Sequence, residues 1–297
     1  TSVIRRTHAG PISLRGVGCR AAHNLIHHEP HTAVWYTGND HVMEYNEIYW
    51  AMTETPEGGV FYTGRNWTYR ANVIRHNYIH HINDDIEGCG SSARVVHLDD
   101  CVSGTTFSGN ICYLCGGAVS ICGGPDNIVD NNIFVEVNPG IGLSDRGLQW
   151  YTWHRREDGS VYAMDARRGG ESTTMLRSLE KVPYQGPPWT KYLHLADMLD
   201  RDPVGAPWFC RITRNIGAGG RLLIVSRGVK DEWVTIENNW DEEMGDPGFV
   251  DLEGGDFRLK EDAAVLADIG FEPIPVEEIG LINDDTRASW PVKPEPP

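Results

Sequence analysis

Two adjacent aspartates, Asp99 and Asp100, end a short apolar run in the stretch HLDDCVSG, and Asp145 ends the similar run GIGLSD. Carboxyl groups placed in this way can act as acid and base, or as acid and nucleophile, on either side of a glycosidic bond. Aspartates at strand ends are also common turn formers, because their side chains bond to the nearby backbone. The residue types leave both interpretations open, so the elements that position them have to decide.

An asparagine followed by apolar residues recurs along the chain, at intervals of about 22 residues with several longer gaps. The repeated positions are Asn24, Asn46, Asn77, Asn110, Asn132, Asn215 and Asn239. Short β-prone runs alternate with Gly, Asn and Asp turns, and no amphipathic helical stretch lies between the first and fifth of these asparagines. The pattern predicts an all-β chain folded as a right-handed parallel β-helix, with the asparagines forming a structural ladder along its axis.

The runs that precede the asparagines align as AVWYTG (33–38), GVFYTG (59–64), VVHLDD (95–100), AVSICG (118–123) and GIGLSD (140–145). Side chains alternate between the two faces of a strand, so we expect the second and fourth positions of each run to point inward. This alignment places Val60 and Tyr62 in the core and Phe61 on the outside. It also places His97 and Asp99 together on the outer face.

The sixth position of the alignment holds Asp100 and Asp145 two coils apart, with Gly123 between them. Coils stack at about 4.8 Å, which gives about 9–10 Å between the two backbones. Carboxyl separations of about 6.5–9.5 Å suit inverting glycosidases and about 5–5.5 Å suit retaining ones, and side-chain reach leaves both open. The interpretation predicts a groove whose acid has a pKa raised by the neighbouring carboxylates.

Further residues near this predicted groove have side chains suited to sugar binding. The stretch EGGVFYTGRNWTYR contains an insertion in which Trp67 can stack on a sugar face and Arg65 can bond to its hydroxyls. For Trp67 the alternative is that it covers the edge of the solenoid. The predicted substrate-binding residues are His97, Tyr62, Arg65, Trp67, Glu57, His41 and Arg146.

No cofactor or metal is expected from the sequence, with a Ca²⁺ site as the alternative. Asp84, Asp85 and Glu87, together with Asp99 and Asp100, are rich in oxygen donors but lack the regular spacing of a calcium loop. The seven cysteines are too few for a disulfide scaffold in 297 residues, and they include the pair Cys112 and Cys115 in a CxxC motif, interpreted as buried structural thiols.

The pattern divides one structural domain into three parts. Residues 1–149 are coils that carry the groove, and residues 150–210 are an aromatic-rich insertion with a short helix, which we expect over 190–200. Residues 211–297 are final coils, a C-terminal cap and a Pro-rich tail. The chain enters the repeat directly, without a polar capping segment, so we expect a preceding N-terminal portion.

The charge balance of the chain is acidic. Its 26 Lys and Arg against 42 Asp and Glu give a formal net charge of −16. This excess argues against nucleic acid as a partner, because phosphate contacts need cations. No apolar run approaches the length of a membrane span. The expected partner is an oligo- or polysaccharide, the oligomeric state stays open, and the expected location is secreted or periplasmic.

Several segments together resemble a known group of proteins. GNDHVMEYNEIYW, YTGRNWTYRANVIRHNYIHHI, HLDDCVSGTTFSGNICY, GGPDNIVDNNIFVEV and LSDRG are similar to bacterial parallel β-helix proteins that include glycoside hydrolase family 141, over about residues 15–275. The resemblance implies α-L-fucosidase or xylanase activity. It also implies a catalytic pair of aspartates on neighbouring coils, matching Asp99 or Asp100 with Asp145. This chain departs from the group at His97, where tyrosine is usual.

The sequence thus predicts a glycoside hydrolase that acts on a plant or algal polysaccharide or on a fucosylated glycan. The first alternative is a polysaccharide lyase on the same scaffold, with Arg65, Arg146 or a Ca²⁺ ion neutralising a uronate carboxylate. The second is a solenoid that binds carbohydrate without catalysis, in which the aspartates only form turns.

Overall fold

The computed structural model describes residues 10–54, 57–82 and 93–282. The first five coils each contribute three strands. These are β1 (Ile12–Val17), β2 (Arg20–Ala22), β3 (Leu25–Glu29), β4 (Val34–Asn39), β5 (Val42–Glu44), β6 (Glu47–Ala51), β7 (Gly59–Gly64), β8 (Asn72–Arg75), β9 (Tyr78–Ile82), β10 (Arg94–Asp99), β11 (Thr105–Ser108), β12 (Ile111–Cys115), β13 (Val119–Ile121), β14 (Ile128–Asp130) and β15 (Ile133–Val137).

A long insertion interrupts the sixth coil after its first strand, β16 (Ile141–Leu143). It contains α1 (Arg146–Gln149), β17 (Tyr151–Arg155), β18 (Val161–Asp165), β19 (Glu171–Ser172), α2 (Leu176–Glu180) and 3₁₀ helices at Trp189–Lys191 and Met198–Asp200. The remaining elements are β20 (Cys210–Thr213), β21 (Ile216–Ala218), β22 (Leu223–Val225), β23 (Val234–Glu237), β24 (Phe249–Asp251), β25 (Asp256–Leu259), α3 (Ala264–Asp268) and 3₁₀ helices at Asp231–Trp233, Glu242–Met244 and Val276–Glu278.

Three parallel sheets run along the axis of the solenoid. Sheet A joins β1, β4, β7, β10, β13, β16 and β22, sheet B joins β2, β5, β8, β11, β14, β20 and β23, and sheet C joins β3, β6, β9, β12, β15 and β21. Each strand pairs with the equivalent strand of the next coil. The predicted all-β parallel β-helix is therefore confirmed.

Apolar side chains at alternate strand positions fill the interior. Val96, Val119 and Ile141 are neighbours in successive coils of sheet A, and each is at most 2% exposed. Burying a side chain of this size contributes about 1.5–3 kcal/mol, so the inward columns supply much of the driving force for stacking.

The repeated asparagines form the predicted ladder. The side-chain amide of each donates to the side-chain oxygen of the next, from Asn24 through to Asn239, over 2.8–3.1 Å. That oxygen also accepts the backbone N–H of the preceding ladder asparagine, as Asn77 does for Asn46 at 2.9 Å. The ladder satisfies buried polar groups that would otherwise be costly in the turns.

The predicted register of β7 is wrong by one residue. Phe61 pairs with Val34 and Val96 and is fully buried, whereas Tyr62 pairs with Trp35 and His97. Tyr62 therefore lies outside and Phe61 lies in the core, while Val60 is buried in the core as predicted. The correction moves Tyr62 toward the candidate site.

The insertion packs against the turns between sheets A and B. Trp153 stacks on Trp67 with ring centroids 5.2 Å apart, and Lys191 pairs with Asp40 at 2.6 Å. The helix expected over 190–200 is absent: this segment contains only the two short 3₁₀ helices, and Leu193 is 77% exposed. Its leucines therefore do not share one buried helical face.

The C-terminal segment, predicted to cap the solenoid, packs along the outer face of sheet C. Phe257 lies 5.0 Å from Tyr113 and 6.4 Å from Tyr78 between ring centroids. The backbone N–H of Gly280 donates to the Tyr45 carbonyl at 2.9 Å, which carries the segment back to the second coil. Its apolar residues thus cover a flank of several coils.

The six cysteines among the described residues are all free thiols, as expected for structural cysteines, and five of them are buried. No helix in the described part of the chain is long and apolar enough to cross a membrane.

Candidate active site

The candidate site lies on the outer face of sheet A, where its strands end. His97 and Asp99 are two positions apart on β10, so both side chains point outward, as predicted. Tyr62 and Ser120 flank His97 on the neighbouring coils. The Tyr62 and His97 rings stack with centroids 5.7 Å apart.

Asp99 accepts hydrogen bonds from three different side chains. The Tyr62 hydroxyl donates at 2.7 Å, Arg146 Nη1 at 3.0 Å, and His97 Nε2 lies 3.2 Å away. Burial alone raises the pKa of Asp99, but the contacts with His97, Tyr62 and Arg146 lower it well below its usual range. Asp99 therefore does not fit the role of the acid, for which the sequence predicted a raised pKa.

His97 also contacts a thiol that the sequence prediction did not include in the site. Its Nε2 lies 3.8 Å from Cys122 Sγ, which in turn lies 3.4 Å from Ser120 Oγ. Burial lowers the pKa of His97, but Asp99 and Cys122 raise it to about 9 on balance. Burial raises the pKa of Cys122, and His97 with Arg146 lowers it below its ordinary value. His97, Asp99 and Cys122 thus form one set of interacting titratable side chains.

Asp100 is an extra residue in the turn after β10. The backbone N–H of Cys101, not of Asp100, bonds to the Cys122 carbonyl, and Asp100 has a left-handed φ of 42°. The sixth-position alignment is therefore shifted here, with Cys101 opposite Gly123. The Asp100 carboxylate pairs with Arg65 and lies 3.4 Å from Arg146 Nη1.

Asp145 lies two coils further on, immediately before α1. Its Oδ1 accepts a hydrogen bond from Gln149 Nε2 at 2.6 Å, and its side chain does not cap the helix. A Cβ atom at Gly228 would lie 1.9 Å from Asp145 Oδ2, so a larger residue there would displace this carboxyl. Among the described residues, no cation pairs with Asp145. Its environment is therefore neutral, whereas that of Asp100 is cationic.

Arg146 connects the two parts of the site. It follows Asp145 directly, and its guanidinium reaches Asp99 and Asp100 on the fourth coil. The guanidinium also lies 4.3 Å from the centre of the Trp150 ring, which holds it in place. The structure thus brings together six of the predicted site residues: Asp99, Asp100, His97, Tyr62, Arg65 and Arg146. Asp145 lies two coils further along the solenoid.

Two predicted binding residues are buried elsewhere. Trp67 is fully buried beneath the insertion, against Trp153, so it covers the solenoid edge and does not contact a substrate. His41 is also fully buried: its Nδ1 accepts from the Cys19 backbone N–H at 3.1 Å and its Nε2 bonds to the Thr37 carbonyl at 3.1 Å. Both predictions of substrate contact are wrong for this reason.

Glu57 is exposed and precedes β7, whereas Asp99 ends β10. Parallel strands begin at one edge of a sheet and end at the other, so the strand length separates Glu57 from the aspartates. A cavity of about 630 Å³ also lies elsewhere, lined by Trp50, His81 and Glu136 after sheet C.

Asp84, Asp85 and Glu87 of the alternative Ca²⁺ site lie outside the described residues. The remaining predicted oxygen donors, Asp99 and Asp100, bond to arginines. The residues that sequence reasoning missed are Cys122, Ser120 and Gln149. The strand alignment had placed the first two on the outer face, but a thiol and a hydroxyl beside His97 were not interpreted as functional.

No protein-family model matches the chain, and no curated protein matches it. Among solved structures, it is similar to a PL6 family polysaccharide lyase from Pseudopedobacter saltans. The identity is 12% and the TM-score 0.28, over 91% of this chain and 80% of that chain. A likeness at this level carries no argument about activity. The resemblance to glycoside hydrolase family 141 stays a prediction.

Proposed function

We propose that the protein is a secreted or periplasmic glycoside hydrolase that cleaves a plant or algal polysaccharide or a fucosylated glycan. The carrying observation is that, among the described residues, the carboxyl groups of Asp99, Asp100 and Asp145 accept hydrogen bonds from side chains and from no backbone N–H. Aspartates that only form turns use their carboxyl groups on the backbone. These carboxyls instead face other functional side chains.

The proposed roles follow from the different surroundings of the two outer carboxyls. Asp100 is held between Arg65 and Arg146, and we assign it the role of the base or nucleophile. Asp145 is buried and bonds to an uncharged amide, and we assign it the role of the acid. Two carboxyls with contrasting environments are the arrangement that glycosidases use for acid and base or nucleophile.

Arg65 is more exposed than Arg146, the other arginine of this site. Its side chain is 64% exposed and covers Asp100, which is only 6% exposed. A sugar ring that displaces the Arg65 side chain gains access to the carboxylate and to the guanidinium as a hydrogen-bond donor.

A polysaccharide lyase is the second candidate, because two guanidinium groups stand beside a phenol. Arg65 and Arg146 can neutralise a uronate carboxylate, and the Tyr62 hydroxyl 2.7 Å from Asp99 can move a proton. Burial and the Asp99 carboxylate raise the pKa of Tyr62 well above its usual value, so Tyr62 is suited to donate rather than accept.

The test is turnover on fucosylated glycans, xylans and uronate polysaccharides, followed both by new reducing ends and by the ultraviolet absorbance of unsaturated sugars. Reducing ends without absorbance are the expected result. Absorbance would establish the lyase. Binding without either product, from a folded chain, would leave a carbohydrate-binding solenoid.

A further inference from the structure

Three donor side chains of different chemistry converge on sheet A beside the proposed catalytic carboxyls. His97 and Asp99 point outward from β10. Cys122 lies in the next coil, directly after Ile121, which pairs with Leu98 of β10. One donor atom from each of the three residues lies within 4.8 Å of the other two. The His97 and Asp99 side chains are each 12% exposed and Cys122 is 3% exposed, so the donors are largely shielded from water.

We propose that His97, Asp99 and Cys122 bind a divalent transition-metal ion, with Zn²⁺ as the ion that these donors suit best. Zn²⁺ binds imidazole nitrogen and carboxylate oxygen at about 2.0–2.2 Å and thiolate sulfur at about 2.3 Å, in a tetrahedron. These bond lengths place N and O about 3.3 Å apart and N and S about 3.6 Å apart. The corresponding distances from His97 Nε2 are 3.2 Å to Asp99 and 3.8 Å to Cys122.

The donor types select the class of ion. Ca²⁺ and Mg²⁺ prefer oxygen ligands, whereas a thiolate and an imidazole favour Zn²⁺ and related transition ions. The Asp99 carboxylate and the Cys122 thiolate also offset the two positive charges of such an ion. Three protein ligands leave a fourth position for water or another ligand.

Neighbouring side chains already fix the carboxylate ligand. The Tyr62 hydroxyl bonds to Asp99 Oδ2 at 2.7 Å, and Arg146 bonds to Oδ1 at 3.0 Å. Ligands of metal ions are usually oriented by such outer hydrogen bonds, and removing one typically weakens metal binding about 10–100-fold. Ser120 Oγ, 3.4 Å from Cys122 Sγ, supports the thiol in the same way.

This inference does not depend on the proposed hydrolysis, because it uses Asp99 and leaves Asp100 and Asp145 as the reacting carboxyls. The experiment is a titration of the chelator-treated full chain with Co²⁺, which reports a thiolate ligand through its charge-transfer absorbance. We expect one Co²⁺ per chain, displaced by Zn²⁺. In Cys122→Ser the charge-transfer band is lost, and in Tyr62→Phe affinity falls about 10-fold or more.

The matched control is Cys19→Ser, a thiol away from the site, which should keep the band of the wild type. The proposal is overturned if the wild type gives no band, or if the band persists in a folded Cys122→Ser variant. If that variant does not fold, an unchanged Co²⁺ affinity in Tyr62→Phe overturns it. Metal binding without turnover on any glycan would support this site and reject only the hydrolase.

Discussion

Two columns of side chains run along the same coils, and they are built on opposite principles. The asparagine ladder repeats one residue type in every coil and bonds only to itself and to the backbone. The column through the candidate site changes at every coil, from Trp35 to Tyr62, His97, Ser120 and Gly142. A position whose partners are its own copies must stay constant, whereas a position facing outward is free to acquire chemistry.

The largest expected effect is on turnover, from variants in the site. Asp100→Asn and Asp145→Asn should each lower kcat/KM at least 100-fold, because each removes a group that moves a proton or carries charge in the reaction. Both variants keep the shape of the side chain, so the thermal midpoint should change little in Asp145→Asn, whereas Asp100→Asn should lower it because it removes a charge between two arginines. Steady-state kinetics on the best glycan of the panel, with thermal melts, measures both.

The matched control for these variants is Glu44→Gln. Glu44 also lies between two arginines, Arg20 at 2.6 Å and Arg75 at 2.7 Å, but on sheet B. Its substitution should leave kcat/KM unchanged. Equal losses of activity in Glu44→Gln and Asp100→Asn would contradict a role specific to the site.

The next largest effect concerns Trp67. The sequence predicted that Trp67 binds substrate, whereas in the structure it packs against the insertion. Trp67→Ala should lower the free energy of unfolding by about 3–5 kcal/mol, because it leaves a large cavity against Trp153. Urea unfolding measures this. A raised KM with unchanged stability would instead return Trp67 to substrate binding.

The ladder itself should respond according to depth. Asn110→Ala should cost about 2–4 kcal/mol, because it leaves its buried partners Asn77 and Asn132 with unmade hydrogen bonds. Asn239→Ala, at the exposed end, should cost about 1 kcal/mol. Urea unfolding of both variants checks the order, and neither should change kcat/KM of the folded fraction. Equal costs would mean that burial does not determine how much each ladder asparagine contributes to the free energy of unfolding.

The smallest effect is a pH dependence of stability at Glu44. Burial raises the pKa of Glu44, but its bonds to Arg20 and Arg75 lower it below its ordinary value of 4.5. A lowered pKa in the folded state contributes stability above the unfolded pKa, and this stability is lost as the pH falls. As the pH falls from about 5 to about 3, the free energy of unfolding of the wild type should therefore decrease more than that of Glu44→Gln. If the wild type and Glu44→Gln lost stability equally as the pH fell, the bonds of Glu44 to its two arginines would not contribute to stability.

The sequence predicted every member of the ladder. Each ladder side chain must donate a hydrogen bond to one neighbour and accept one from the other, and this requirement keeps asparagine at every position. The sequence misplaced β7 because both alternating sets of side chains in GVFYTG contain apolar residues, so the pattern does not show which set points inward. The choice was decided by Phe61 packing on Val34 and Val96 and by Tyr62 stacking on His97. Trp67 is buried by Trp153, which lies far from it in the sequence. The sequence pattern around Trp67 therefore does not show that it is buried.

The coils also tolerate a long interruption without losing their phase. Asn132 and Asn215 are 83 positions apart in the chain, yet their side chains bond at 2.9 Å as if they belonged to uninterrupted neighbours. The register of the coils therefore does not depend on how much chain lies between β16 and the next strand. For protein engineers, a foreign loop belongs within this insertion but away from Asp145, Arg146 and Trp153, which the site and the packing require.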